Sequence, residues 1–431
     1  MKLMTDNRKQ ILSIAMPSMV ENILQMFMGI VDNYLVAQIG LVAISGVSIA
    51  NNIITVYQAL FIALGAAVSS LVARSLAEKN PSKHINYMTQ AVQVTLVLSC
   101  FLGVLSVVGK QKILQVLGSE ALVTAAGGQY LSIVGGGIVA LGLLTSLGAI
   151  VRAQGQTNIP MRVSLFTNVI NVFLSFLAIY VFDFGIVGVA WSTVLSRALG
   201  IFVLCSFLPI KLILKQMSKP LGKEVFHLSL PAAGERLMMR LGDVLIVAII
   251  VQFGTEALAG NAIGETMSQF NYMPGMGMAT ATVISVASQL GGGQKSKIEE
   301  TIGDSFWLAT LLMGPIALVT YLLGPFAIPL FTENPNAQQA VMVVLLFSLI
   351  GVPATSGTLV YTAAWQGIGK PKLPFYATTI GMWLIRIILG YVLGVSLGYG
   401  LLGVWLATVL DNSVRWAILY QAFKKEQKLV Q

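Results

Sequence analysis

The sequence predicts an all-α integral membrane protein, with twelve transmembrane helices in two six-helix lobes related by a pseudo-twofold axis along the membrane normal. Three observations carry this prediction: apolar runs of 20 or more residues, a one-sided distribution of basic residues, and an ungapped internal repeat.

The apolar runs come first. Over 431 residues, 56% are hydrophobic and 10% are charged, against roughly 25% charged in an ordinary soluble domain. Mean hydropathy is +0.82. Lipid must therefore solvate much of the chain. Backbone inside a bilayer has to satisfy its own hydrogen bonds, which leaves helices or closed barrels. Runs of this length, rather than alternating ten-residue stretches, select helices. The expected spans are 11–39, 43–73, 86–109, 127–151, 160–182 and 185–208, then 224–252, 257–288, 303–330, 337–365, 374–396 and 401–423. The apolar stretch after the polar start MKLMTDNRKQ runs on without a small-residue cleavage signal, so it is expected to be helix 1 rather than a leader.

Basic residues then orient the spans. Of 26 Lys and Arg, 19 fall in one set of loops and at the termini, from Lys2, Arg8 and Lys9 to Lys424, Lys425 and Lys428. The opposite loops hold only Lys110 and Lys112, and Arg197, Arg236, Arg240, Arg386 and Arg415 lie in or at the ends of spans. This split predicts both termini in the cytoplasm, in the inner (plasma) membrane. It also accounts for the net charge of +9 through topology and anionic headgroups, not nucleic acid.

The repeat sets the domain plan. Shifted by 214 residues, the block from Pro17 to Asn80 lies on Pro231 to Gln294 without a gap. Pro17 meets Pro231, Glu21 meets Glu235, Gly40 meets Gly254 and Gly46 meets Gly260. Gln154-Gly155 resembles Gln366-Gly367, and GIVGVAWSTV (185–194) resembles GLLGVWLATV (400–409). Residues 1–208 are the expected N-lobe, 209–223 a cytoplasmic linker and 224–431 the C-lobe. Six crossings return the chain to its starting side, so the halves share one orientation. That arrangement suits rocker-type alternating access about a mid-membrane site.

Charges within spans are functional candidates because burying them is costly. Asp32, in MGIVDNYLVAQIG, has no basic residue within a turn or two. It serves either proton or sodium coupling or a packing hydrogen bond to neighbouring Asn and Thr. Glu235, Asp243 and Glu265 are expected at a substrate cavity with Tyr34, Tyr57, Met273 and Met276. Aromatic faces would take flat cations and thioethers adapt to varied shapes. The plainer alternative makes Arg240 and Asp243 an (i, i+3) pair, Asp411 and Arg415 an (i, i+4) pair, and the methionines packing. Cys100 and Cys205 are expected to be ordinary buried thiols. Two histidines, His84 and His227, exclude a His-rich metal site. Neither a phosphate-binding loop nor a Ser–His–Asp constellation is readable, so the chain is expected to be no enzyme and to need no cofactor beyond a coupling ion. Transport would draw on an ion gradient or run passively. The expected partners are amphipathic small molecules and the lipid bilayer, with no nucleic acid and no obligate protein partner.

Several stretches carry a family resemblance: PSMVENILQMFMGIVDNYLVAQIG, RAQGQTNIP (152–160), GIVGVAWST (185–193), YMPGMGMATAT (272–282), QGIGKPKLP (366–374) and GMWLIRIILGYVLG (381–394). In order and spacing they resemble multidrug and toxic compound extrusion (MATE) transporters of bacterial type. The resemblance implies export of amphipathic, often cationic, organic compounds in exchange for Na+ or H+. It implies a cation-coupling site at Asp32, with Asn171, Ser175 and Thr193 in the family's ligand positions and Na+ as a possible metal there. The family's second acid is a Ser here, Ser175, which removes one charge. The alternative from the same superfamily is a lipid-linked saccharide flippase.

Overall fold

The structure, a computed structural model, describes residues 6–116, 120–218, 220 and 222–430, with side chains through Glu426. Lys2, Lys219 and the side chain of Lys428, counted above among the loop cations, lie outside the described residues.

The described chain is helical throughout and forms twelve rods. The first six are α1 (Asp6–Ala37), α2 (Leu41–Ala77), α3 (Pro81–Val116), α4 (Ala121–Gly135 and Ile138–Ala153), α5 (Asn158–Tyr180) and α6 (Gly185–Cys205). A short helix, Ile210–Gln216, occupies the linker. The second six are α7 (Lys223–Val251), α8 (Thr255–Gly291), α9 (Lys295–Leu330), α10 (Pro335–Ile350 and Val352–Ile368), α11 (Lys372–Ser396) and α12 (Gly400–Val430). By length and composition seven single rods can cross a membrane, and the bent pairs α4 (44°) and α10 (56°) bring the number to nine. The other three, α7, α8 and α12, carry Glu235, Asp243, Glu265 and Asp411, all of the acids named above except Asp32 and Glu21.

Outward faces are apolar, as lipid contact requires. Along α3, Val97, Phe101, Val104 and Val108 recur at helical spacing and are 57–81% exposed. Cys100 lies on this outer surface and Cys205 is half-exposed, which corrects the expectation of buried thiols. In a membrane chain, apolar side chains have lipid to face as well as a protein core.

The chain forms two compact units, Val20–Ala233 and residues 6–19 with 234–430. The divisions fall two residues after Pro17 in α1 and two residues after Pro231 in α7, at equivalent places in the repeat. Proline removes a helix hydrogen bond and crowds the preceding turn, so each rod is weakened where it passes between units. The first part of α1 is anchored in its unit by Arg8, which pairs with Asp304 at 2.6 Å. Asn7 Nδ2 also donates to Asp304 at 2.9 Å.

The backbone repeats more strictly than the side chains. Ten described residues have positive φ, and they form five equivalent pairs: Gly40 and Gly254, Lys79 and Gly293, Gly155 and Gly369, Asp183 and Gly398, Gly185 and Gly400. Gly155 (φ 87°) therefore corresponds to Gly369 (φ 88°), not to Gly367, whose match to it in the sequence is a coincidence of the Gln-Gly dipeptide. Helix ends repeat too. The Asn80 N–H bonds to the Ser75 carbonyl, as the Gln294 N–H does to Gln289, both in the six-to-one pattern of a left-handed cap. Packing follows suit. A Cβ on Gly46 would strike the backbone at Gly127, and one on Gly260 would strike Ala337 and Ala340, so the same close helix crossing occurs in each unit.

The pairs are 214 apart as far as Gly155 and Gly369, and 215 apart at Asp183 and Gly398. The extra residue lies in α11, whose Gly381–Leu389 stretch is a π-helix while its counterpart in α5 is α-helical. One inserted residue is what a π-helical stretch absorbs.

Candidate functional site

The site begins with small residues. Gly188 of α6 lies against Ala178 of α5, and Gly200 lies against Thr167, so the two helices approach closely enough for short side chains to bond across. Asn171 and Ser175 are one turn apart on α5, and Thr193 and Arg197 are one turn apart on α6. The Ser175 hydroxyl donates to Asn171 Oδ1 at 3.0 Å, and Asn171 Nδ2 donates to Thr193 Oγ1 at 3.3 Å. Thr193 in turn donates to the Val189 carbonyl at 3.0 Å and is hydrogen-bonded by Tyr130 of α4. Asn171, Ser175, Thr193 and Tyr130 are all buried.

Asp32 of α1 belongs to the same unit and faces this chain electrostatically. Its charge acts on Tyr130 and on Arg197. One carboxylate oxygen, Oδ1, is inaccessible to solvent and has no hydrogen-bond partner. An orphaned buried acceptor costs about 1–3 kcal/mol, more when charged. A proton or an oxygen-ligated cation would relieve that cost, and the Asn171 carbonyl and Ser175 and Thr193 hydroxyls are oxygens of the type a hard cation takes. Sequence reasoning gave neither Tyr130 nor Arg197 a place in this site; of the two, Arg197 carries the charge. It is remote from Asp32 in the chain, and its one signal was the four-residue step from Thr193.

The cavity candidates do not form one group. Tyr34 is exposed at 64%, on α1 beside Asp32. Tyr57 is enclosed in its own bundle, with the Ser106 hydroxyl donating to its oxygen at 3.2 Å. Met273 and Met276 are half-buried on α8. Asp243 is half-exposed between two arginines, 3.8 Å from Arg240 and 3.4 Å from Arg386. Glu265 is exposed on α8 and hydrogen-bonds to Asn261, which also accepts from Trp405 Nε1 at 2.9 Å. Glu235 is buried at 4% exposure, receiving hydrogen bonds from Gln366 and Thr378. Asp411 and Arg415 pair at 2.8 Å with both side chains enclosed.

The MatE family model matches residues 17–177 and, a second time, residues 231–392. The chain belongs to the MATE family of transporters. The double match is the internal repeat seen from outside, and the chain is accordingly a multi-pass membrane protein. Among relatives, it is 26% identical to a probable multidrug resistance protein NorM of Thermotoga maritima, covering 94% of this chain and 89% of that one. It is 24% identical to the uncharacterized transporter YisQ of Bacillus subtilis, over 98% and 96% of the two chains. A crystal structure of a MATE protein in the straight conformation superimposes with a TM-score of 0.90 at 20% identity, covering 98% of this chain and 97% of that one. MATE proteins therefore share its fold, twelve helices in two lobes.

Proposed function

We propose that this MATE protein is a secondary active multidrug efflux antiporter. It exports amphipathic, often cationic, organic compounds in exchange for an inward cation by rocker-type alternating access, in the plasma membrane with both termini cytoplasmic. The observation that carries this reading is the unpartnered carboxylate oxygen of Asp32, whose charge acts on Tyr130 and Arg197. Only through these two is it next to the bonded chain of Ser175, Asn171 and Thr193: Tyr130 is hydrogen-bonded to Thr193, and Arg197 lies one turn from it. A cation arriving there completes the coordination that the helices leave open, and its departure restores the orphan. Such a site has two states, which is what coupling requires.

Two features favour the proton over sodium. Ser175 stands where the resemblance places a second acid, and Arg197 already brings a fixed positive charge to the site. A proton neutralises Asp32 without needing further ligands. One charge moving through 100 mV supplies about 2.3 kcal/mol, enough for roughly fifty-fold accumulation of a neutral substrate.

The test is export of a fluorescent organic cation from proteoliposomes under separately imposed pH and sodium gradients. The wild type should respond to the pH gradient, and Asp32→Asn should lose at least about tenfold of that rate, some 1.4 kcal/mol. Full gradient-driven export by Asp32→Asn would sink the reading. Translocation of a lipid-linked saccharide without drug export would replace it with the flippase alternative.

A further inference from the structure

The internal repeat supplies a control for one acid that the Asp32 site does not use. Glu21 and Glu235 are equivalent residues, and each meets a partner 131 residues further on. In the unit Val20–Ala233 that partner is Arg152, whose Nη1 lies 2.7 Å from Glu21 Oε2. In the other unit it is Gln366, whose Nε2 donates to Glu235 Oε2 at 3.4 Å. The Thr378 hydroxyl donates to the other carboxylate oxygen at 3.3 Å. Among the described residues, no ammonium or guanidinium comes within 4.0 Å of Glu235.

Two arginines act on Glu235 from beyond ion-pair distance. Arg236 is its neighbour on α7 and acts on it only at longer range. From α12, Arg415 also reaches it electrostatically, but bonds to Asp411 Oδ2 at 2.8 Å and Asn412 Oδ1 at 3.0 Å. α10 and α11 present neutral Gln366 and Thr378.

The difference in partner chemistry decides what each acid can do. A guanidinium only donates hydrogen bonds, so protonating Glu21 would leave Arg152 facing a hydroxyl. An amide and a hydroxyl each donate and accept. Turning the Gln366 amide, or rotating the Thr378 hydroxyl, satisfies a protonated Glu235 as well as an ionised one.

We propose that Glu235 is a proton-binding site of the C-terminal bundle, a second carboxyl that takes up and gives back one proton in each transport cycle. The step is a proton transfer between water and the carboxylate, with no other bond made or broken. As a second coupling proton it rests on the antiport reading, whereas the site itself does not.

Two measurements test it. The first is pH-difference infrared spectroscopy of the purified protein, which reads protonated carboxyls directly. Wild type should show a titrating carbonyl band that is absent in Glu235→Gln. Gln366→Arg, which installs the Glu21 arrangement, should also remove it while leaving the protein folded and monodisperse. A band unchanged in Glu235→Gln overturns the site, and a band unchanged in Gln366→Arg overturns the explanation by partner chemistry. The second is the number of protons moved per exported cation, read with a pH-sensitive dye in proteoliposomes. It should fall by half in Glu235→Gln, and an unchanged ratio rejects the coupling role. If Asp32→Asn exports normally while Glu235→Gln loses the band, the antiport reading fails and the proton site stands.

Discussion

At equivalent positions the two bundles keep one hydrogen bond and differ in nearly everything around it. In the N-terminal bundle Asn171 donates to Thr193 at 3.3 Å, and in the C-terminal bundle Arg386 donates to Thr408 at 3.2 Å. Both pairs are 22 residues apart and link the fifth helix of a half to its sixth. Where the first half has Asp32, Tyr130 and Ser175, the second has Ile246, Val344 and Gly390. Ile246 and Val344 sit in an apolar cluster with Ile250 and Val404. One bundle thus keeps an open carboxylate among neutral polar groups. The other closes the same place with hydrocarbon and moves its charge to pairs already formed, Arg386 with Asp243 and Arg415 with Asp411. A shared backbone does not dictate a shared electrostatic task.

That contrast can be broken most sharply at Asp411. Its counterpart in the first half is Ser196, and Arg415 replaces Gly200. Asp411→Ala would leave Arg415 enclosed without its acid, at a cost of about 3–5 kcal/mol. A thermal-unfolding midpoint in detergent should fall accordingly. A neutral result would mean that the pair contributes nothing net. The shared crossing gives the next effect. Gly46→Ala and Gly260→Ala should each lose about 1–3 kcal/mol, by similar amounts, because each added methyl meets the neighbouring helix. Unequal losses would show that the crossings are alike in geometry only.

A gain is expected at Lys79, where the equivalent residue is Gly293. Lys79 holds φ at 53°, a region unfavourable to side-chain-bearing residues. Lys79→Gly should raise stability by roughly 0.5–1 kcal/mol, after allowing for the greater freedom of glycine in the unfolded chain. The smallest effect concerns Glu256, whose counterpart is Val42. Amides of Asn334 and Asn336 donate to its two oxygens at 2.8 and 2.7 Å, holding its pKa below the usual 4.5. The group is more acidic folded than unfolded, so its contribution is present above about pH 4.5 and lost as pH falls through the folded value. Wild type and Glu256→Gln should therefore differ slightly in melting midpoint at pH 7 and converge on acidification. A constant difference would deny the link.

Helix existence, membrane residence and the repeat were legible because each is written in composition or in a long register. Apolar length dictates helices in lipid, and Pro17, Gly40 and Gly46 recur at Pro231, Gly254 and Gly260. Asn171, Ser175 and Thr193 were found through family resemblance, and the structure joins them by hydrogen bonds. Arg197 and Tyr130 were not found, because their relation to Asp32 is formed by helix packing and has no sequence spacing. The π-helical stretch of α11 was hidden for a related reason. A single extra residue looks like a slip of alignment until the positive-φ residues on either side fix both registers. Tyr57 shows the reverse case, an aromatic whose chemistry suited a cavity and whose neighbours enclose it in this structure.

The two proline-marked divisions have a further consequence for connectivity. Residues 6–19 lie with 234–430, whereas 223–233 lie with the first half. Each half of the chain has lent its opening turns to the other's bundle, which is the topology of a domain-swapped dimer whose subunits have been joined end to end. Cutting the linker would therefore not release two self-contained pieces. Each fragment would carry the first segment that the other's unit is missing.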